Sequence, residues 1–483
     1  MSDQAPTLLW FRQDLRLADN PALSTAVERG APILPLFILD EESPGIRPLG
    51  GAARWWLHKS LEALGADLQK LGLDLILKRG PAASIIAQLV EEHGIGAIYW
   101  NRLYDPASRK RDEAIKSALK DSGRIVESFN SLLLFEPWQV KTKQGGAFQV
   151  FTPFWRAARE QVRITRPLLA PEGRLPGFPK AQSETLSDWG LLPTKPDWVG
   201  GLRDAWTPGE EAARERANDF LDDRLDIYAQ QRDRPDLDIS SHLSPYLRFG
   251  EISPRQLWAA TDHRTHGEIT SGGAETFLRE LGWREFCHHL LFHQDDLAST
   301  PLREEFTQFP WRESPKDLEA WQKGLTGYPI VDAGMRQLWA TGWMHNRVRM
   351  VVGSLLVKQL LLPWKAGEEW FWDTLVDACP ASNPASWQWV AGCGADAAPY
   401  FRVFNPVLQS QKFDPKGSYI RRWVPELAGF DDDTIHEPWK VSAVRRTKNY
   451  PAPIVELAGG RARALDAYAR IKGASDKTSS PRT

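Results

Sequence analysis

From its start, the chain alternates short apolar runs with segments whose apolar residues recur every three to four positions. Leu8-Leu9-Trp10-Phe11 reads as a buried strand. Asn20-Pro21 opens a helix, with Asn as cap and Pro in the first turn, and Gly30 ends it. Ile33–Leu39 reads as a second strand. Trp56, Leu61, Leu64, Leu68 and Leu71 then mark a helix stopped by Gly72. Leu73–Leu77 is a strand, Pro81–His93 a helix, Ala97–Trp100 a strand and Pro106–Asp121 a helix. Ile125-Val126 opens the fifth strand. This rhythm predicts an α/β domain over residues 1–130, with a doubly wound, Rossmann-like parallel sheet of five strands.

Residues 165–209 break the pattern. Seven prolines (Pro167, Pro171, Pro176, Pro179, Pro193, Pro196 and Pro208) fall there among scattered glycines. That composition predicts a long connection crossing a surface, and residues 131–209 are taken as the inter-domain linker. From Glu210 the patterns are helical, and Pro245, Pro254, Pro329, Pro363 and Pro380 punctuate helices. Residues 210–483 are therefore predicted as a larger all-α domain. The tail from Gly459 ends in Lys, Ser and Thr and is expected to fray.

The 483 residues carry a formal charge of −2, with 42% hydrophobic and 25% charged residues, an ordinary globular composition. No apolar run approaches the roughly 18 residues of a membrane span. The N-terminus lacks the apolar stretch of a secretion signal. Cys287, Cys379 and Cys393 show no C-x-x-C spacing, so a reducing, cytoplasmic setting is expected. One number is abnormal: 22 tryptophans against 9 tyrosines, ten of them between Trp283 and Trp389. A single Trp is most simply a core residue. A cluster of this density also suits planar-ligand stacking or electron hopping.

No phosphate loop accompanies the sheet. The first strand turns through Arg12-Gln13-Asp14-Leu15-Arg16 without a glycine. The one G-x-G-x-x-G-like match, Gly392–Ala397, lies after a Trp-rich helical stretch. Candidate chemistry sits instead in four helical segments. Ser240-Ser241-His242-Leu243-Ser244 is a hydroxyl-rich turn that could cap a helix or meet a phosphate. Glu280 and Arg284 share a helix face beside Trp283, and His288, His289 and His293 follow without the H-E-x-x-H of a metal site, so no metal is expected. Trp343–Met350 is too polar for a helix that opens into Val351–Val357, which points to a ligand or a partner charge. Asp377 needs a cation in an apolar neighbourhood, and Arg349 is the candidate.

Several long motifs resemble the DNA photolyase/cryptochrome family. They are Trp10–Arg16, Gly327–Leu338, Gly342–Arg347, Trp387-Gln388-Trp389, Asp396–Arg402 and Phe404-Asn405-Pro406. The resemblance runs from Leu8 to about residue 450, and is most like a cyclobutane pyrimidine dimer photolyase, related to class III enzymes and plant cryptochromes. It implies an FAD-binding helical domain. FAD phosphates and ribityl would meet Tyr228 and Ser240, Ser241, His242, Leu243 and Ser244. The isoalloxazine would lie by Trp283, Arg284, Asn346, Arg349, Asp377, Cys379 and Asn383, with Asn383 facing flavin N5. The family often has Asp-x-Asp where this chain has Asp377-Ala378-Cys379, and a thiol is a weaker hydrogen-bonding group.

The resemblance also implies an activity: blue-light repair of pyrimidine dimers in UV-damaged DNA by a carbon–carbon lyase, with cryptochrome-type signalling as the alternative. Glu280, Trp283, Asn346, Met350 and Trp389 would line the lesion pocket, and Arg232 and Arg347 would meet phosphates. The (6-4) enzymes carry histidines where this chain has Asn346 and Met350, which weighs against that reaction. Trp387, Trp364 and Trp311 would carry electrons to the flavin, with Trp339, Trp370 and Trp372 as a second exit. The motif Arg54-Trp55-Trp56-Leu57 implies an antenna chromophore stacked on Trp55 or Trp56. 5,10-Methenyltetrahydrofolate is expected there and a deazaflavin is the alternative, although Tyr104-Asp105-Pro106 departs from the folate-binding pattern. A monomer without a membrane association, reaching the nucleoid when on DNA, is expected.

Overall fold

The computed structural model describes residues 4–179, 181–270, 272–396, 402–441 and 450–478. The five strands are β1 (Thr7–Phe11), β2 (Ile33–Leu39), β3 (Ile76–Arg79), β4 (Ala97–Asn101) and β5 (Ile125–Phe129), all parallel, in the order β3-β2-β1-β4-β5. The helices between them are α1 (Pro21–Arg29), α2 (Gly51–Lys70), α3 (Ala82–His93) and α4 (Pro106–Asp121). The doubly wound sheet therefore forms as its rhythm predicts. Asn20 accepts from the Leu23 amide, Pro21 fills the first turn, and Gly30 closes α1 at φ 70°.

β3 begins three residues later than the apolar run suggests. Its register is fixed by pairing with β2, Leu36 opposite Ile76 and Leu39 opposite Arg79, not by local hydrophobicity. Its outer edge is not left open. The Glu184 amide donates to Leu77 O at 2.9 Å, Ser183 Oγ accepts from the Leu77 amide at 3.0 Å, and Glu184 Oε1 accepts from the Arg79 amide at 3.1 Å. Ser183 and Glu184 thus cover an edge strand, within a stretch whose composition predicts a long connection crossing a surface.

At the ends of β1 and β4, where a doubly wound sheet usually takes a ligand, the chain uses its own side chains. Asn101 Nδ2 donates to Asn20 Oδ1 at 2.7 Å and to Asp14 Oδ2 at 2.5 Å. Arg12 pairs with Asp112, donates to Asn101 O, and lies 4.6 Å over the Trp10 ring. This network occupies the place of the absent glycine loop.

The chain divides into two compact units that do not follow the expected boundaries. The first comprises Met1–Phe148, Thr152–Asp226 and Ser241–Asp295; the second comprises Gln149–Phe151, Ile227–Ser240 and Asp296–Thr483. Several helices expected in an all-α domain therefore belong with the sheet. A buried ionic knot explains why. Arg16 donates to Gly250 O at 2.8 Å, to Ser131 O at 3.0 Å and to Asp19 O at 2.6 Å. Asp19, itself fully buried, accepts from Arg255 Nε at 3.0 Å, from Ser253 Oγ, and from the Leu168 amide at 3.1 Å. Glu210 accepts from the Leu17 and Ala18 amides at 2.6 and 3.1 Å.

Trp55 and Trp56 also depart from expectation. They are 2% and 0% exposed. Trp56 meets Trp206, Tyr246 and Phe249 at 5.4, 5.1 and 6.2 Å between ring centroids, and its Nε1 donates to Glu251. They fill the core of the first unit and offer no open face to a pigment.

The second unit is helical, with Trp321, Met335, Met344, Val352, Leu356 and Ile420 among its most buried residues. The tail from Gly459 does not fray at its start. It belongs to the helix Leu457–Thr478, which buries Ala464, Ala467 and Ile471 at three-to-four spacing. No helix among the described residues is long and apolar enough to cross a membrane.

Two predictions follow from these buried charges. Asp19→Asn leaves Arg16 and Arg255 buried without their full counter-charge, and should lower unfolding free energy by roughly 3 kcal/mol, read from denaturant midpoints. A loss under about 0.5 kcal/mol would mean that the knot is replaceable. Glu251 is fully buried against Ser60, Trp56 and the Gly209 amide, and burial raises its pKa from 4.5 to about 8. Its folded state favours the neutral acid. Its stabilisation is complete below pH 4.5 and is lost as pH rises through about 8. Glu251→Gln should flatten that alkaline decline in a melting-versus-pH series, and an equally steep decline would assign the effect elsewhere.

Candidate functional site

In the second unit, the helix Asn346–Ser354 starts where His345 Nδ1 accepts from the Arg347 amide at 3.2 Å. Asn346, Arg349 and Met350 share one face of it by their spacing. Arg349 grips Asp377 with two hydrogen bonds of 3.1 and 2.8 Å, and its Nε donates to Met344 O at 2.7 Å. The Asp377 side chain is 4% exposed and that of Arg349 25%. The carboxylate is thus withdrawn from water while a quarter of the arginine side chain stays accessible. The expected pair forms, in the bidentate geometry that fixes orientation as well as charge.

Asn383 opens the next wall of the site. It lies in the first turn of the helix Ser382–Ala391, with Trp387 one turn on. Cys379 Sγ accepts from the Ser382 amide at 3.0 Å, so the thiol partners the first amide of this helix, whose cap residue is Ala381. Asn383 is buried. Its Nδ2 donates to Glu368 O at 3.0 Å and to Glu368 Oε1 at 2.8 Å. Both partners accept hydrogen bonds, so the amide nitrogen must face them and the carbonyl end is left for a ligand. Glu368 is 1% exposed and escaped sequence reasoning. A signal was there: in the helix Trp364–Thr374, Glu368 shares a face with Trp364, Phe371 and Trp372, all buried.

The aromatic residues of this unit are placed by core packing. Trp387 and Trp364 are 3% and 5% exposed, and Trp311 is half-buried with its ring 4.3 Å from Phe309. Trp339 stacks on Trp370 at 6.0 Å and 8°, and it stands well out of the surface. Trp372 is buried and Trp389 half-buried. Arg347 pairs with Asp233 at 2.7 Å and lies 4.5 Å over Phe413, while Arg232 lies 5.4 Å over Tyr228. Ser240 ends the segment Ile227–Ser240 of this unit. Of the motif Asp396–Arg402, Ala397–Phe401 lie outside the described residues.

The remaining candidates belong to the first unit. The helix Gly272–His293 carries Glu280, Trp283 and Arg284, each half-buried. Arg284 donates to Leu132 O at 2.8 Å and to Leu247 O at 3.4 Å, and reaches Glu285 at 3.4 Å. Glu285 is buried, and desolvation raises its pKa to about 8. The nearby histidines are structural. His289 bridges Pro137 O at 3.1 Å and the Phe148 amide at 3.0 Å, and burial lowers its pKa to about 4; His288, against Arg284 O, is lowered to about 3. Among the described residues no cluster of His, Cys, Asp and Glu forms a metal site. In the serine turn, Ser241 Oγ accepts from the Leu243 amide at 3.4 Å. His242 takes φ 54° with its ring 6.0 Å from Trp206. Leu243, not a serine, occupies the cap position of the helix Ser244–Phe249.

Comparison with known proteins bears on both units. A family model described as DNA photolyase matches residues 7–172, and one described as the FAD binding domain of DNA photolyase matches residues 277–470. The chain is 50% identical over 475 residues to a deoxyribodipyrimidine photo-lyase of Agrobacterium fabrum, covering 97% of this chain and 98% of that protein. It is 38% identical over 491 residues to cryptochrome-2 of Arabidopsis thaliana, covering 97% of this chain and 79% of that one. The crystal structure of a class III photolyase from Agrobacterium tumefaciens superposes with a TM-score of 0.94 at 48% identity, covering 98% of this chain and 99% of that one.

The Glu368–Asn383 contact can be tested directly. Glu368→Leu keeps the Glu368 carbonyl but strands the Asn383 amide hydrogen that its carboxylate accepted in a buried site, and should cost about 1–3 kcal/mol of stability. Glu368→Gln keeps an acceptor and should recover most of it. Equal midpoints for parent and Leu variant would show that Asn383 finds another partner.

Proposed function

The chain belongs to the DNA photolyase family, and from that premise we propose that it repairs cyclobutane pyrimidine dimers in UV-damaged DNA with blue light, as a deoxyribodipyrimidine photo-lyase. The observation that carries this reading is identity at half of all positions across almost the whole of a deoxyribodipyrimidine photo-lyase. The 38% identity to a plant cryptochrome favours light signalling as the second reading.

The cofactor is FAD, and the second unit's donor set fits it. Arg349 offers a positive charge held in place by Asp377, which suits a reduced flavin anion. Asn383 offers a carbonyl oxygen, its amide nitrogen being occupied by Glu368. That orientation suits a protonated N5 on the reduced ring, and narrows the free choice between donor and acceptor that an asparagine has in sequence. On the family resemblance Asn346, Cys379, Trp283 and Arg284 are assigned to the ring as well. Tyr228 and Ser240–Ser244 are assigned to the phosphates and ribityl. When bound, reduced and excited by blue light, FAD supplies one electron to the dimer and recovers it after the ring bonds open.

The chain's residues handle the lesion. Trp283, Met350 and Trp389 offer apolar surface to a flipped dimer. Glu280, half-buried, would as the neutral acid donate a hydrogen bond to its carbonyl oxygens where negative charge develops, and Asn346 orients its edge. Arg347 and Arg232 meet the flanking phosphates. For Arg347 this requires exchange of Asp233 for DNA, so salt should weaken binding. Trp387, Trp364 and Trp311 carry electrons inward when FAD is oxidised, and Trp339 with Trp370 offers a second exit. We place the protein in the cytoplasm as a monomer. A second chromophore, 5,10-methenyltetrahydrofolate or a deazaflavin, would collect light, but Trp55 and Trp56 are not its binding surface.

The test is repair of an oligonucleotide bearing a thymine dimer by the FAD-loaded protein. Loss of the dimer under blue light and none in the dark is the expected result. Tight FAD binding with an intact dimer after illumination would transfer the protein to the signalling reading.

A further inference from the structure

Trp387 is held between two glycines on two different helices. Gly353 lies near its Cζ3 atom: a Cβ there would be 3.6 Å from the ring, ordinary contact, and 3.2 Å from Val390 Cγ1, tight but against a single methyl group. At Gly367 there is no such room. A Cβ would lie 2.2 Å from Cη2, 2.5 Å from Cζ3 and 2.6 Å from Cζ2 of the indole. The ring therefore rests on the bare backbone of the helix Trp364–Thr374. Gly367 has ordinary helical geometry, so no left-handed φ demands a glycine. A glycine in mid-helix is less stable than alanine, which makes the close approach its evident cause.

The ring cannot retreat cheaply. Phe371 meets it edge-on at 5.0 Å and 72°, and Trp321 at 6.1 Å and 69°. Trp321 is in turn fixed by donation from its Nε1 to Val352 O at 3.0 Å. A Cβ at 367 would have to push the indole back by roughly 1 Å to regain van der Waals contact. The same helix begins at Trp364, one turn before Gly367, and carries Glu368, which orients Asn383.

We propose that Gly367 is a positioning residue for photoreduction: its missing side chain lets Trp387 sit at contact distance on the helix that carries Trp364. The inference rests on the reading of Trp387 and Trp364 as consecutive electron donors. In that sequence one electron leaves the Trp387 indole toward oxidised FAD, and one from Trp364 refills it. Neither transfer makes or breaks a bond. Trp311 refills Trp364, and a soluble thiol supplies the last electron to Trp311; the thiol's proton goes to water and two oxidised thiols join as a disulfide. Donor-to-donor transfer depends steeply on separation, so a displaced indole slows it without touching the lesion pocket.

The experiment compares the FAD-loaded parent with Gly367→Ala, Gly353→Ala and Trp387→Phe, using dithiothreitol as the thiol. Gly367→Ala should slow blue-light reduction of oxidised FAD several-fold. Its dimer repair after chemical reduction with dithionite should match the parent. Gly353→Ala, a like change without the ring clash, should photoreduce at nearly the parent rate. A folded, FAD-loaded Gly367→Ala that photoreduces as fast as the parent overturns the proposal. If that variant loses FAD, the double variant Gly367→Ala/Trp387→Phe decides. The smaller ring vacates the clashing atoms, so the double variant should regain the FAD content and melting midpoint of Trp387→Phe; failure to regain them overturns the proposal. Trp387→Phe alone, photoreducing at the parent rate, would instead sink the donor reading on which the proposal rests.

Discussion

The ionic knot of Arg16, Asp19 and Arg255 is the constraint from which the first unit takes its form. Burying a charge is unfavourable unless its partners are complete, and here they are drawn from distant parts of the chain. Arg16 reaches the Gly250 and Ser131 carbonyls; Asp19 gathers Ser253, Arg255 and the Leu168 amide. The turn after the first strand is thereby committed to structure. It cannot also be a glycine loop for phosphate, and the neighbouring Arg12–Asp112 pair fills the crevice where such a sheet would hold a nucleotide. A sheet that resembles a nucleotide-binding domain has become a platform for helices.

The second unit applies the same rule to a smaller charge set. Asp377 is nearly out of water because Arg349 accompanies it, and Glu368 is buried because Asn383 gives it an amide proton. Each pair also fixes an orientation: the guanidinium is set by Asp377 and Met344 O, and the Asn383 amide nitrogen by Glu368. The partner that makes burial tolerable thereby decides which atoms remain for any other contact.

What the sequence made legible was local. Asn20-Pro21 and Gly30 mark helix ends through chemistry within three or four residues, and the structure places caps there. The Arg349–Asp377 pair was legible because an acid in an apolar stretch demands a cation. The start of the third strand was not, because pairing with Leu36 decides it and Leu73 is as apolar as Ile76. Neither was the role of Ser183 and Glu184, which lie in the proline-rich connection while their hydrogen-bond partners Leu77 and Arg79 lie a hundred positions away. The final helix was obscured by Gly459-Gly460 and by alanines too small to signal a core. Yet Gly460 lets the helix approach Gln359, where a Cβ would lie 2.2 Å from Oε1. The Arg54–Leu57 motif misled because tandem tryptophans look the same in sequence whether they face a pigment or the interior.

That last ambiguity runs through all the tryptophans, and the structure changes its terms. Three of the six assigned a redox role are also core residues: Trp387, Trp364 and Trp372 are buried, as is Trp321, which has none. For a stacking surface the two readings compete, because a face sealed by protein is closed to a ligand; Trp56 is such a case. For an electron donor they do not compete. Transfer needs no access, only a fixed separation and little rearrangement, and dense packing provides both. A core that seats an indole against bare backbone is therefore a suitable conductor, and an abundance of buried tryptophan fits a protein that moves electrons through its interior.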